Sequence, residues 1–153
     1  MKKCVKKEIE KLIKYYDLNC SIEEFKDKVN WIYISQYQKL SLNFIREFQD
    51  KVNWYYISSN QKLSLNFIRE FKDKVDWNLI SEYQQLSLDF IREFKDKVDW
   101  DWISYNKYLP KDIIIEFRDK LNLDILLEQK IIDQEFIDEM NRPYSRMELL
   151  DLS

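Results

Sequence analysis

Hydrophobic positions in this chain return at a fixed interval of 23 residues. Four segments of that length, 29–51, 52–74, 75–97 and 98–120, follow one another without a gap, and a more divergent copy covers 121–143. We number these segments repeats 1 to 5. A fixed period of this kind is typical of solenoid proteins, in which each repeat buries its apolar face against its neighbours.

The second half of each repeat has the apolar spacing of an α-helix. Phe67, Phe71 and Val75 fall at i, i+4 and i+8, on one helical face. Ser64 precedes Phe67 by three residues and suits a helix N-cap, because its hydroxyl can accept a hydrogen bond from a free backbone amide. The equivalent positions of the other repeats are Ser41, Ser87, Pro110 and Asp133.

The first half of each repeat predicts a second short helix. Trp77, Ile80 and the small Ser81 fall at i, i+3 and i+4, and Asp76 precedes them as a candidate N-cap. The sequence therefore predicts two short helices in each repeat. We predict an all-α fold, a right-handed solenoid of 23-residue helix-pair repeats.

A leucine-rich repeat is the alternative fold, because the stretch "LSLNF" alternates like a β-strand. The second Leu of this stretch becomes Lys111 and Gln134 in later copies, which a strand position facing the core would not tolerate. The helical interpretation is therefore preferred.

The repeats are expected to form one domain, 1–153, with a cap at each end. Residues 1–20 predict an N-terminal helical cap, 21–28 match the end of a partial repeat, and 144–153 depart from the pattern and suggest a polar C-terminal cap. The five repeats cover 29–143.

Charged residues in the second helices are spaced for pairs within each helix. Glu70 and Lys74 lie at i,i+4 with the acid first, which is the favourable order. The same spacing relates Glu47 to Lys51, Glu93 to Lys97, Glu116 to Lys120, Arg46 to Asp50, Arg69 to Asp73, and Arg92 to Asp96. Carboxylates that recur once per repeat form a row and do not converge on one substrate, so a catalytic use is not expected.

The tryptophans at one fixed position in four repeats suggest either packing or aromatic recognition. They are Trp31, Trp54, Trp77 and Trp100, with Leu123 in the divergent copy. Replacement by leucine favours a place in the apolar core between repeats over a ligand contact.

Three positions in the first half of each repeat vary more than the rest. They fall at i, i+4 and i+7, so they are expected to share one helix face and to form a stripe from repeat to repeat. The members are Ile32, Gln36, Lys39, Tyr55, Ser59, Lys62, Asn78, Glu82, Gln85, Asp101, Tyr105 and Tyr108. Varied polar and tyrosine residues on a constant scaffold are typical of repeat-protein binding surfaces, although neutral drift on an exposed face explains them equally well.

Composition argues against several classes of enzyme. The chain contains no His and no Gly, which removes the usual general base, the commonest metal ligand and every glycine-dependent phosphate loop. Cys4 and Cys20 are too few for a metal site and are expected to be unpaired. We therefore expect no catalytic residues, no metal and no cofactor. The net charge of −3 and the lack of a long apolar run predict a soluble intracellular protein that does not bind membranes.

The string "ISxxQxLSxxFIREFxDKVxW", over 29–143, resembles the short tandem repeats of uncharacterised proteins from giant amoebal DNA viruses of the mimivirus and marseillevirus kind. That resemblance implies a location in the host cytoplasm or the virion and supplies no catalytic residues. The expected function is a non-catalytic scaffold that binds a host or viral protein, as a monomer or a weak end-to-end oligomer. The alternative is a nucleic-acid-binding or architectural repeat protein.

Overall fold

The computed structural model describes residues 1–142. In that range the regular secondary structure is twelve α-helices, with no strand. They are α1 Lys3–Tyr15, α2 Phe25–Lys28, α3 Trp31–Tyr37, α4 Leu42–Glu47, α5 Trp54–Asn60, α6 Leu65–Glu70, α7 Trp77–Tyr83, α8 Leu88–Glu93, α9 Trp100–Tyr105, α10 Lys111–Phe117, α11 Leu123–Glu128 and α12 Gln134–Met140. The all-α prediction is confirmed, and the helices return with the regular spacing of a helical-repeat solenoid. The right-handed sense stays a prediction, and the predicted cap at 144–153 lies outside the described residues.

Each repeat contains the two predicted helices, a first helix from α3, α5, α7, α9 and α11 and a second from α4, α6, α8, α10 and α12. The predicted caps form as well. The Ser64 side chain accepts from the Phe67 amide and the Asp76 side chain accepts from Leu79, while Pro110 stands at the N-cap of α10 without a side-chain bond. The stretch "LSLNF" enters these second helices, so the leucine-rich-repeat alternative is wrong.

The chain divides into two compact units, Met1–Val75 and Asp76–Ser153. In the first unit α1 packs on α4 and α3 packs on α5. In the second unit α7 packs on α9 and α9 packs on α11. Within each unit, therefore, first helices of neighbouring repeats lie side by side.

In repeats 1 to 3 the core includes one phenylalanine and two isoleucine positions per repeat, and in repeat 4 Ile113 takes the phenylalanine position. Phe67 and Ile68 of α6 and Ile57 of α5 are completely buried. Equivalent residues in the other repeats include Phe44, Ile45, Ile34, Phe90, Ile91, Ile80 and Ile103, all at most 1% exposed. Burying a side chain of this size contributes about 1.5–3 kcal/mol. Because helices this short are marginal in water, this packing supplies their stability.

The tryptophan rings contact phenylalanines of their own repeats, and Trp31 also contacts Phe25 of the preceding partial repeat, so the predicted packing between repeats is found only in part. The Trp54 ring lies 5.1 Å from the Phe71 ring and 6.3 Å from the Phe67 ring, and the side chain is half-buried. Its indole N–H donates to the carbonyl oxygen of Gln49 in the preceding repeat, at 2.9 Å. Trp54 therefore packs its own first helix against the second helix. It also forms a hydrogen bond with the segment just before the repeat. Trp77 and Trp100 make the same ring contacts with Phe94 and Phe117.

Completely buried serines in α3, α7 and α9 form hydrogen bonds with the backbone of the next repeat. Ser81 Oγ donates to the Trp77 carbonyl at 2.6 Å and accepts from the Asp99 amide at 3.0 Å. Ser35 and Ser104 make the equivalent bonds, to Asn53 and Asn122. A small hydroxyl is needed here because it satisfies a backbone amide in a space with no room for a larger group.

A buried side-chain amide adds a second link between repeats. Gln61 Nε2 donates to the carbonyl oxygens of Ser35 and Gln38, at 3.2 and 2.7 Å, and Gln61 Oε1 accepts from the Leu40 amide at 3.0 Å. In the second unit Asn106 makes the two donor bonds, to Ser81 and Gln84. These polar side chains are therefore part of the core and not of a ligand site.

Two helix ends adopt a left-handed conformation without glycine. Lys130 follows α11 with φ of 58°, its amide donates to Leu127 O at 3.0 Å, and the next amide, of Ile131, donates to Leu126 O at 2.9 Å. Asp17 after α1 has φ of 50°. These paired bonds define a Schellman motif, whose left-handed residue is usually Gly because a Cβ is crowded there.

Replacing Lys130 by Gly is expected to raise the free energy of unfolding by about 0.5–1 kcal/mol, because it removes the crowded Cβ at this left-handed residue. Urea denaturation followed by far-ultraviolet circular dichroism measures the change. Lys130→Ala is the matched control and should give no gain, since alanine keeps the Cβ. If both variants raise the free energy of unfolding equally, the lysine side chain and not the left-handed backbone is the source of the destabilisation.

Candidate partner-binding face

The predicted stripe lies on the solvent side of the first helices. Ile32 and Tyr55 are 57% and 55% exposed. The other exposed members are Lys39, Lys62, Asn78, Gln85, Asp101, Tyr105 and Tyr108, and the half-buried ones are Gln36, Ser59 and Glu82. Packing of α3 on α5 brings the members of repeats 1 and 2 side by side, and packing of α7 on α9 does the same for repeats 3 and 4.

The third member of each triplet is not on the helix, contrary to the predicted i+7 spacing. α3 ends at Tyr37 and Gln38 is extended, with φ of −101° and ψ of 142°, so Lys39 lies in the following turn. Lys62, Gln85 and Tyr108 lie beyond the ends of α5, α7 and α9 in the same way. A seven-residue helix is too short to carry an i+7 position from its second residue.

Exposed aromatic side chains concentrate on the same side of the first helices, and the stripe missed several of them. Tyr33, Tyr37, Tyr83 and Trp102 are between 39% and 61% exposed. Within residues 1–142, the large exposed apolar side chains lie on first helices or the turns after them, with the exceptions of Met1 and Tyr15. The i,i+4 relation of Tyr33 and Tyr37 was visible in the sequence and could have added them. We call this side of α3, α5, α7 and α9, with the turns that follow, the first-helix face of each unit.

Four tyrosines form a chain of ring contacts on the first unit. The ring centroids are 4.8 Å apart for Tyr15 and Tyr16, 5.8 Å for Tyr16 and Tyr33, and 4.7 Å for Tyr33 and Tyr37. The Gln38 amide donates to the Tyr16 hydroxyl at 2.6 Å, and burial raises the pKa of Tyr16 above its ordinary value. This chain of contacts connects the end of α1 to α3 and fixes the tyrosine rings in place.

Ion pairs connect the second halves of neighbouring repeats, and they replace the predicted pairs Glu70 with Lys74 and Arg46 with Asp50. Arg46 forms a bidentate ion pair with Glu70, in which Nη2 lies 2.7 Å from Oε2 and Nε lies 2.9 Å from Oε1. The Lys74 ammonium forms an ion pair with the Asp50 carboxylate at 2.6 Å. The hydrogen bond from Arg46 lowers the pKa of Glu70. The predicted partner Lys74 lies past the end of α6, where helical i,i+4 geometry no longer applies. Arg92 and Glu116 form the same contact in the second unit.

Among residues 1–142 no group of three or more His, Cys, Asp or Glu side chains is placed to hold a metal, and no buried polar side-chain atom lacks a hydrogen-bond partner. Cys4 and Cys20 are free thiols, as expected. Comparison with protein families, curated proteins and solved structures gives no match. None of the helices described in 1–142 is both long and apolar enough to cross a membrane.

A cavity of about 440 Å³ lies in the second unit beside the left-handed turn after α11. It is lined by Lys111, Leu127, Lys130, Ile131, Ile132, Asp133 and Phe136. The Asp133 carboxylate is already used as the N-cap of α12, and the Lys111 ammonium lies 5.2 Å from the centre of the Phe136 ring. Asp133 and Lys111 therefore both have local partners.

Proposed function

We propose that this chain is a non-catalytic helical-repeat scaffold that binds a protein partner through the first-helix faces. The observation that supports this proposal is the concentration of half-exposed tyrosine and tryptophan side chains on those faces. Tyrosine and tryptophan are enriched at protein interfaces because each buries a large area while giving up few rotatable bonds.

The scaffold supports recognition by keeping these side chains in fixed positions. The first helices are tied to the core by the buried serines and by Gln61 and Asn106, so their exposed side chains need little ordering on binding. A surface that is ordered before binding loses less entropy when the complex forms. The resemblance to giant-virus repeat proteins suggests a partner from the virion or from the host cytoplasm.

Nucleic-acid binding is the second candidate, supported by Lys39 and Lys62 beside tyrosines on the first unit. Affinity for nucleic acid depends chiefly on the number of phosphates that lysine and arginine neutralise. The first-helix face of the second unit has Gln85 and Tyr108 at the positions equivalent to Lys39 and Lys62. It also carries Glu82 and Asp101, which repel phosphates. Protein binding is therefore the better supported function.

Capture of partner proteins is expected to fall at least about tenfold when Tyr55, Glu82 and Tyr105 are all replaced by Ala, because interface energy concentrates in a few aromatic and charged residues. The melting temperature should be nearly unchanged, since these side chains lie outside the core. The measurement is quantitative mass spectrometry of proteins captured from nuclease-treated amoebal lysate.

The matched control replaces Lys51, Lys95 and Asp96 by Ala, three exposed residues outside the first-helix faces. It should capture the same proteins as the parent chain. If the control and the first-helix variant capture equally well, the first-helix face is not the binding surface. If captured material is lost on nuclease treatment and binding weakens steeply with salt, the nucleic-acid function replaces the proposed one.

A further inference from the structure

The first-helix face of the first unit differs in charge from that of the second. Segments 29–45 and 52–68, which contain the first helices of repeats 1 and 2 and the beginning of the second helices, include no Asp and no Glu, and Glu47 and Glu70 follow at the ends of α4 and α6. Their positive charges on the first-helix face are Lys39 and Lys62, at the same position of adjacent repeats. The equivalent segments of the second unit, 75–91 and 98–114, contain the six carboxylates Asp76, Glu82, Asp89, Asp99, Asp101 and Asp112 and the two lysines Lys107 and Lys111. On the first helices and the turns after them, the charged residues are Lys39 and Lys62 in the first unit and Glu82, Asp101 and Lys107 in the second, so only the first-helix face of the first unit has no carboxylate.

From this asymmetry we infer that the first-helix face of the first unit binds an acidic peptide segment of the partner, with carboxylates interspersed among apolar side chains. This inference rests on the proposed protein-binding function and names the chemistry of the partner. Exposed Ile32, Tyr37 and Tyr55 provide apolar contact area, and the ammonium groups of Lys39 and Lys62 provide partners for carboxylates. Tyrosine hydroxyls can also donate hydrogen bonds to carboxylate oxygens.

Charges that adjoin this face leave it positive. Lys14 lies in the last turn of α1, directly before Tyr15, and is exposed. Asp17, two residues after Tyr15, is the nearest carboxylate along the chain. The three lysines Lys14, Lys39 and Lys62 outnumber this single carboxylate, so the net charge at and beside this face is positive. Electrostatic complementarity of this kind chiefly raises the association rate and selects against partners of the wrong sign.

Ring geometry favours a peptide over single-stranded nucleic acid on this face. Bases stack on open aromatic faces. The pairs Tyr15 with Tyr16, Tyr16 with Tyr33, and Tyr55 with Tyr56 instead meet edge to face, at interplanar angles of 87°, 82° and 89°. In each pair one ring covers a face of the other, which leaves fewer open faces for bases. This arrangement suits carboxylates and aliphatic side chains.

The test uses three fluorescein-labelled probes of similar length: a peptide that alternates Glu with Leu and Phe, the same peptide with Lys in place of Glu, and oligo(dT). Fluorescence anisotropy with the full chain should show binding of the acidic peptide and at least about tenfold weaker binding of the other two, because the face pairs with carboxylates. The double variant Lys39→Glu/Lys62→Glu should lose affinity for the acidic peptide by a similar factor. The control Lys51→Glu/Lys95→Glu makes the same change of net charge elsewhere and should keep it.

Equal affinity for the acidic and basic peptides would overturn the inference, because binding would then not depend on the charge of the peptide. Equal loss of affinity for the acidic peptide in both double variants would also overturn it, because binding would then not depend on the lysines of this face. Tighter binding of oligo(dT) than of the acidic peptide would overturn it in favour of nucleic acid. If the Tyr55, Glu82 and Tyr105 variant loses protein capture while the acidic peptide does not bind the parent chain, this inference fails and the scaffold function stands. Far-ultraviolet circular dichroism of each variant checks that it is folded.

Discussion

Phe67→Ala is expected to lower the free energy of unfolding by about 3–5 kcal/mol, the cost of deleting a large aromatic side chain and leaving a cavity. Phe67 is completely buried, and its ring lies 4.7 Å from that of Phe71 and 6.3 Å from that of Trp54. The cavity therefore opens where the first and second helices of the repeat meet. Short helices have little stability of their own, so they cannot compensate for this loss.

Urea denaturation followed by far-ultraviolet circular dichroism measures the change. Trp54→Ala should cost less than Phe67→Ala because the indole is only half-buried and water can enter the space it leaves. Lys51→Ala, at an exposed site in the same unit, should change stability by less than about 0.5 kcal/mol. A Phe67 variant that is no less stable than the Lys51 variant would show that the phenylalanine position is not the core.

Local patterns in the sequence were enough to predict the helices. The i,i+4 spacing of Phe67 and Phe71 and the Ser64 cap depend on backbone geometry within one turn, and both are found where they were expected. The repeat period adds a constraint that a single helix lacks, because every copy must satisfy the same pattern. This is why an all-α repeat architecture could be derived without a related protein.

Contacts between repeats could not be predicted because they depend on how far one helix pair is shifted against the next. Arg46 could reach Asp50 in its own repeat or Glu70 in the next, and both have the correct charge. The structure selects Glu70, at a separation of 24 residues. The tryptophan contacts were predicted only in part for a related reason. A fixed position identifies a packed residue, but it does not show that the ring packs on the phenylalanines of its own repeat.

The candidate face was predicted in part. Ile32 and Tyr55 were identified by their variation and are exposed. Lys39 was assigned to a helix that ends before it, because sequence variation gives no signal for the length of a short helix. The buried glutamine at position 61 was missed since a polar residue in a varied region resembles a surface residue until its hydrogen bonds are seen.

Gln61→Leu is expected to lower the free energy of unfolding by about 2–4 kcal/mol, although leucine is more apolar and of similar size. The substitution leaves the carbonyl oxygens of Ser35 and Gln38 and the amide of Leu40 without the partner that Gln61 provides, in a region where the side chain is 5% exposed. A buried polar group that loses its partner costs about 1–3 kcal/mol, more than the gain from the added apolar surface. Gln85→Leu, in an exposed turn, is the control and should be nearly neutral in the same urea titration. If the Gln61→Leu and Gln85→Leu variants are equally stable, water must take over the hydrogen bonds of the Gln61 amide. Gln61 would then not be required for the stability of the fold.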